Sequence, residues 1–172
     1  MPFFNSILTF LCFVLASVVI SESASINGGE STNLISLGTV DGKTYFADAT
    51  KRNWTAARTF CSEVGMRLAT ITSEAQLEFL RFAYDSTNFA EDHWTAARDS
   101  QEARQFTWDS LNEQPSETFN HWINWHNLPY QTCALYNFIP GVSCCMHFEN
   151  CAAMEKVLCE TIPLKTVLNP IT

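Results

Sequence analysis

Hydrophobic positions along this chain fall into three regimes. The first is an unbroken apolar run from Ile7 to Ile20, with no charged side chain before Glu22. At about 14 residues the run is shorter than the ~20 that a membrane-crossing helix needs. Ser21 and Ser23 are small residues suited to cleavage before Ala24, so residues 1–23 read as a secretory signal peptide, although no Lys or Arg precedes the apolar run. The alternative is an uncleaved anchor. No other segment is apolar enough over a sufficient length to span a membrane.

The second regime begins after a small, polar stretch. Residues 24–41 are rich in Ser, Asn, Gly and Thr and read as a flexible N-terminal arm. Lys43-Thr-Tyr-Phe-Ala-Asp alternates weakly after the Asp41-Gly42 turn and predicts a strand. Trp54, Ala57, Cys61 and Val64 then recur at helical spacing, with Asn53 placed as N-cap and Gly65 as the terminator. A second helix starts near Ser73, where Ser73 and Gln76 have the form of a capping box, and puts Leu77, Leu80 and Tyr84 on one face. Between the helices, Leu68, Ala69 and Ile71 are the expected buried positions.

In the third regime, after about Asp85, helical periodicity stops. Short strand candidates follow at His93-Trp-Thr-Ala, Gln105-Phe-Thr-Trp, Thr132-Cys-Ala-Leu-Tyr and Lys156-Val-Leu-Cys-Glu. Residues 109–131 lack a regular pattern but hold Trp122, Trp125 and Pro129, and a loop of that length in a compact domain is usually functional. Helices early and strands late predict an α+β domain over residues 42–160, with 161–172 as an extension.

Composition narrows the function. The chain has 172 residues with 10 Lys+Arg against 18 Asp+Glu, a net charge of −8 that argues against a nucleic-acid binder and gives no basic surface for an anionic membrane. Seven cysteines point to an oxidising compartment, and removal of the leader takes away Cys12 and leaves an even six. The product is therefore expected to be secreted and extracellular. No G-x-S-x-G, H-E-x-x-H or glycine-rich phosphate loop is present, and Asp109 with Glu113 reads as a solvated loop, so no enzyme is expected. His121, His126 and His147 lie near Cys144 and Cys145 but lack the spacing of a zinc site, so no metal is assigned to them. Asn53-Trp54-Thr55 is the single N-x-Ser/Thr sequon, making Asn53 a candidate glycosylation site.

The ordered landmarks carry a resemblance. Trp54, Ala57, Cys61, Gly65, Leu68, Ala69 and Ile71, then His93-Trp94-Thr95-Ala96-Ala97, Phe106-Thr107-Trp108, Phe119-Asn120-His121-Trp122, and finally Cys133, Cys151 and Val157-Leu158-Cys159-Glu160, together resemble a C-type lectin-like domain. The form is the short, single-domain secreted one, similar to arthropod C-type lectins. The resemblance implies disulfides Cys61–Cys159 and Cys133–Cys151, closing loops of nearly a hundred and under twenty residues, worth roughly 4–5 and about 3 kcal/mol in the chain-entropy model.

The resemblance also implies where a sugar-binding member would hold calcium, and there this sequence departs. Ca²⁺ takes about 6–8 oxygen ligands. Around the family's proline the chain reads Leu128-Pro129-Tyr130, and five residues before Cys151, where Trp-Asn-Asp would begin, it reads Met146-His147-Phe148. Glu149 and Asn150 stand two positions late. The usual calcium ligands are thus absent and no cofactor is expected. A lectin without the usual calcium site is the leading expectation, with Leu128, Pro129, Tyr130 and His147 as candidate ligand contacts and Tyr130 as the best single one. The alternative is a protein-binding member in immunity or inhibition. Adjacent Cys144 and Cys145 fit a vicinal bridge or a link to a second chain, giving a disulfide-linked homo- or heterodimer, better than two free thiols. The expected partner is a glycan or a protein surface.

Overall fold

A hairpin opens the domain because two residues accept left-handed backbone. Strands β1 (Ile35–Val40) and β2 (Lys43–Arg52) pair antiparallel across Asp41 (φ 51°) and Gly42 (φ 74°), the conformation of a two-residue turn whose twist matches the strands it joins. The computed structural model describes residues 34–87, 91–99, 106–116, 121–123, 132–137 and 146–163, and all of them belong to one unit, Thr32–Thr172. The leader, most of the expected arm and most of the extension lie outside the described residues. Where the arm is described it is corrected: Ile35–Val40 is a strand, held by pairing with β2 and by Leu34, Leu37 and Val40 packing against the core. In the extension, Thr161 exchanges hydrogen bonds with Thr44 through its N–H and its Oγ1, prolonging the ladder.

Helix α1 (Trp54–Glu63) buries Trp54, Ala57, Phe60 and Cys61 on one face. Asn53 Oδ1 accepts the Ala56 N–H at 2.9 Å, and Gly65 at φ 74° lets the Met66 N–H turn back to the Cys61 carbonyl. After β3 (Arg67–Leu68) comes α2 (Glu74–Thr87), which buries Leu77, Leu80, Ala83 and Tyr84. The capping box is half formed. Ser73 Oγ accepts the Gln76 N–H, but the Gln76 carboxamide reaches past Ser73 to accept from the Thr72 N–H.

The remaining elements are all strands: β4 (His93–Asp99), β5 (Phe106–Trp108), β6 (Trp122–Ile123), β7 (Thr132–Tyr136), β8 (Met146–Asn150) and β9 (Glu155–Glu160). The sheet runs β1-β2-β9-β4-β7-β8-β6, with β3 joined to β9 and β5 to β4. Most pairs are antiparallel as expected, but β4–β9 and β6–β8 are parallel, so the sheet is mixed. Its centre is dry: Trp54, Trp94, Trp108, Tyr45, Leu80 and Leu158 are almost wholly buried. Two indoles tie the layers together, Trp54 Nε1 donating to the Thr95 carbonyl and Trp94 Nε1 to the Arg52 carbonyl. Disulfides fix the frame at two places. Cys61–Cys159 joins α1 to β9, and Cys133–Cys151 joins β7 to the turn after β8.

A buried charge closes the junction of β2, β3, β9 and α2. Glu160 is fully buried, yet Arg67 Nε lies 2.7 Å from one oxygen and Lys43 Nζ 3.3 Å from the other. The Thr70 N–H and hydroxyl donate to the same carboxylate. Burial lowers the Lys43 pKa more than Glu160 raises it, so the ammonium depends on this carboxylate to stay charged.

Candidate functional site

Strand β8 decides what the ligand end of the domain can do. Its pleat turns Met146 and Phe148 into the interior and leaves His147, Glu149 and Asn150 part-exposed. Phe148 lies between aromatic rings, 3.9 Å from Phe106 and 5.1 Å from Trp122 by ring centroids. Trp122 continues the stack to Trp108 at 5.9 Å. The positions that would supply calcium oxygens thus hold an imidazole and a buried phenyl ring. The two oxygen-bearing side chains that follow are engaged locally: Glu149 Oε1 accepts the Asn150 N–H, and Asn150 Oδ1 accepts the Ala152 N–H in the turn. Neither His147 nor Phe148 offers a side-chain oxygen to calcium, and among the described residues no group of three His, Cys, Asp or Glu is placed to hold a metal ion.

What the same end offers is a polar cluster where β4 starts, β7 stops and β8 starts. The pairings His93↔Tyr136 and Tyr136↔Met146 bring Asp92, Asn137 and His147 together across three strands. Asp92 Oδ2 stands 3.6 Å from His147 Nε2, an ion-pair distance too long for a direct hydrogen bond. Burial works against the Asp92 charge, but His147 and the Asn137 amide outweigh it and hold the pKa below the usual carboxylate value. Asp92 Oδ1 and Asn137 Oδ1 are both buried without a hydrogen-bond partner. A buried acceptor left unsatisfied costs about 1–3 kcal/mol. Beside them, Lys156 and Glu91 form an ion pair at 3.0 Å. Beneath them His93 is buried and neutral, its pKa pushed down to about 4 chiefly by desolvation.

Of the residues singled out in the sequence, the structure brings together the four framework cysteines in the two pairs named above and places His147 in the cluster. Asn53 caps α1. Leu128, Pro129, Tyr130, Cys144, Cys145 and His126 lie outside the described residues. The His121 side chain pairs with Glu74 at the start of α2, while its carbonyl accepts the Met146 N–H beside His147. Asp92 and Asn137 were not legible as site residues: each is a polar residue flanking a strand, and only strand register reveals that they share one end of the sheet.

Comparison with known proteins agrees with this geometry. The model of the Lectin C-type domain matches residues 50–161, and the chain belongs to that family. It is 36% identical over 83 residues to the human Early activation antigen CD69, a match covering 48% of this chain and 36% of that protein, so the chain spans about a third of the relative's length. Among solved structures it is similar to an SPL-1–GlcNAc complex (21% identity, TM-score 0.60, covering 72% of this chain and 90% of that one). It is also similar to a Ca²⁺-dependent type II antifreeze protein in its Ca²⁺-free form (22% identity, TM-score 0.59, covering 72% and 95%). The C-type lectin domain of murine dendritic cell inhibitory receptor 2, in complex with an N-glycan, aligns at 18% identity with a TM-score of 0.59, covering 72% and 93%. At these identities the structural likeness shows the fold alone.

Proposed function

We propose that this protein is a secreted recognition module that binds carbohydrate without the usual calcium site, using Asp92, Asn137 and His147 as hydrogen-bonding groups for ligand hydroxyls. The observation that carries the reading is Phe148. A phenyl ring built into an aromatic stack stands where the family's calcium motif would place an oxygen ligand. Two of the similar solved structures are described with a sugar, GlcNAc in one and an N-glycan in the other, which supports a glycan as ligand class. The apolar leader and the two disulfides in the described domain support secretion. The match to the Lectin C-type domain supports a role in binding and not in turnover.

A second reading is a protein ligand, with the domain as half of a dimer linked through Cys144 or Cys145 in immunity or inhibition. The likeness to CD69, an activation antigen by its name, favours it. A glycan array with and without EDTA separates the two. Binding that survives EDTA and is lost in Asp92→Ala and His147→Ala supports the first reading. Binding abolished by EDTA overturns it, and an array silent under both conditions favours the second. Reducing against non-reducing gels test the dimer, since a monomer in both overturns the interchain link.

A further inference from the structure

We infer that Asn53 carries an N-linked oligosaccharide while it still caps helix α1. Asn53 opens the Asn53-Trp54-Thr55 sequon at the junction of β2 and α1, with extended backbone at φ −69° and ψ 164°. The two ends of its carboxamide have separate tasks. Oδ1 accepts the Ala56 N–H at 2.9 Å, whereas Nδ2 makes no hydrogen bond among the described residues and is not one of the buried polar atoms left without a partner. An amide nitrogen that is neither bonded nor buried is reachable from solvent. Thr55, the third sequon residue, is exposed, and Trp54 between them is buried and points the other way into the core.

The chemistry leaves the cap intact. A lipid-linked oligosaccharide diphosphate supplies the sugar. The Nδ2–C1 bond forms as the C1–O bond to the diphosphate breaks, Nδ2 loses one proton, and the lipid diphosphate departs. The product is a secondary amide whose Oδ1 is still a hydrogen-bond acceptor, so the Ala56 N–H keeps its partner and the orphan donors of the first turn are no worse served.

The setting suits a glycan. The β2–β9 register pairs Arg52 with Glu155, which brings Asn53 alongside Met154 on the opposing segment. Met154 is 54% exposed, and Ala152 in the same turn is exposed as well. The Trp54 N–H donates to the Cys151 carbonyl at 3.0 Å and holds this turn against the helix start. The first sugars on Asn53 therefore lie over the turn that the Cys133–Cys151 bridge closes and cover Met154. The inference rests on the secretory reading, since the transfer takes place in that pathway.

The test uses the full chain expressed in mammalian cells. Trypsin cuts after Arg52 and Arg58, so mass spectrometry reads the peptide 53–58 directly. The expected result is a glycopeptide, replaced by one bearing Asp at position 53 when the intact chain is treated with peptide-N-glycosidase before trypsin. Thr55→Ala destroys the sequon without touching the cap and is expected to migrate like the deglycosylated wild type. Asn53→Asp keeps a capping oxygen and is expected to match it. A secreted, disulfide-bonded chain whose peptide 53–58 is unmodified overturns the glycan alone. A chain retained in the cytosol with free thiols overturns the secretory reading and the glycan with it.

Discussion

Phe148 lies almost flat against Trp122, with the ring planes 10° apart and the centroids 5.1 Å apart. The stack gives the domain a reason to keep an aromatic residue where a sugar-binding relative would need a carboxylate. Phe148→Ala is expected to cost about 3–5 kcal/mol, the range for emptying a well-packed aromatic site. Chemical denaturation checks it. Phe148→Asp is expected to be less stable still, because it buries a charge among rings, and to gain no thermal stabilisation from added Ca²⁺. A rise in melting midpoint with Ca²⁺ in that variant would show that the remaining ligands are in place after all.

Glu160 is a buried carboxylate on which two cations converge. Removing it leaves Lys43 and Arg67 facing each other and Thr70 without its acceptor. Glu160→Ala is expected to destabilise by roughly 3–5 kcal/mol, as breaking one side of a buried pair usually does. Glu160→Gln keeps the shape and should still lose the charge compensation. A denaturation midpoint unchanged in both variants would remove this cluster from the list of what holds β9 to β2 and β3.

Acid stability should report on His93. In the folded chain its pKa is held down to about 4 by burial, against 6.5 for an exposed imidazole. Above pH 6.5 the ring is neutral in both states and contributes no pH dependence. As pH falls below 6.5 the unfolded chain takes up a proton that the folded chain refuses, so stability declines, and the decline ends near pH 4 where the native ring also protonates. The total is on the order of 3 kcal/mol. Unfolding free energies at several pH values between 4 and 7 would show this slope, and His93→Asn should flatten it.

The two bridges should differ in worth. Loss of Cys61–Cys159, which spans 98 residues, is expected to cost about 4–5 kcal/mol, and loss of Cys133–Cys151, which spans 18, about 3 kcal/mol. Paired Cys→Ser variants compared by thermal melting give the order. Hydrogen exchange adds a spatial check: the shorter bridge should loosen β7 and β8 and leave α1 protected.

The helices were legible in the sequence because their signals are local. Asn53, Gly65, Ser73 and the spacing of Leu77 and Leu80 act within one or two turns, and the structure uses each of them. Gln76 shows the limit, since its choice of Thr72 over Ser73 follows from Lys43 and Asp41 lying alongside it, residues more than thirty positions away in the chain. Strand β1 was hidden for a related reason: Ile35–Val40 is a half-exposed edge that continues a small, polar stretch of sequence, and only pairing with β2 marks it as a strand. The cluster of Asp92, Asn137 and His147 was least legible, because it exists only through register between β4 and a β7–β8 pair more than forty residues further along.

The position of Cys159 has a mechanical consequence. The domain begins and finishes side by side, with Thr44 and Thr161 bonded across the ladder. A load that draws those two ends apart would peel β9 from β2 one pair at a time, starting at Tyr45–Glu160 and reaching Phe46–Cys159 next. Beyond that pair the pull on the C-terminal side passes through sulfur to Cys61, so the load runs along β2 and α1 and bypasses residues 62–158. The segment between the two cysteines, which holds β4 to β8 and the whole recognition end, is shielded from the pull, so a tethered copy of this domain can be held under strain and still present an undistorted surface.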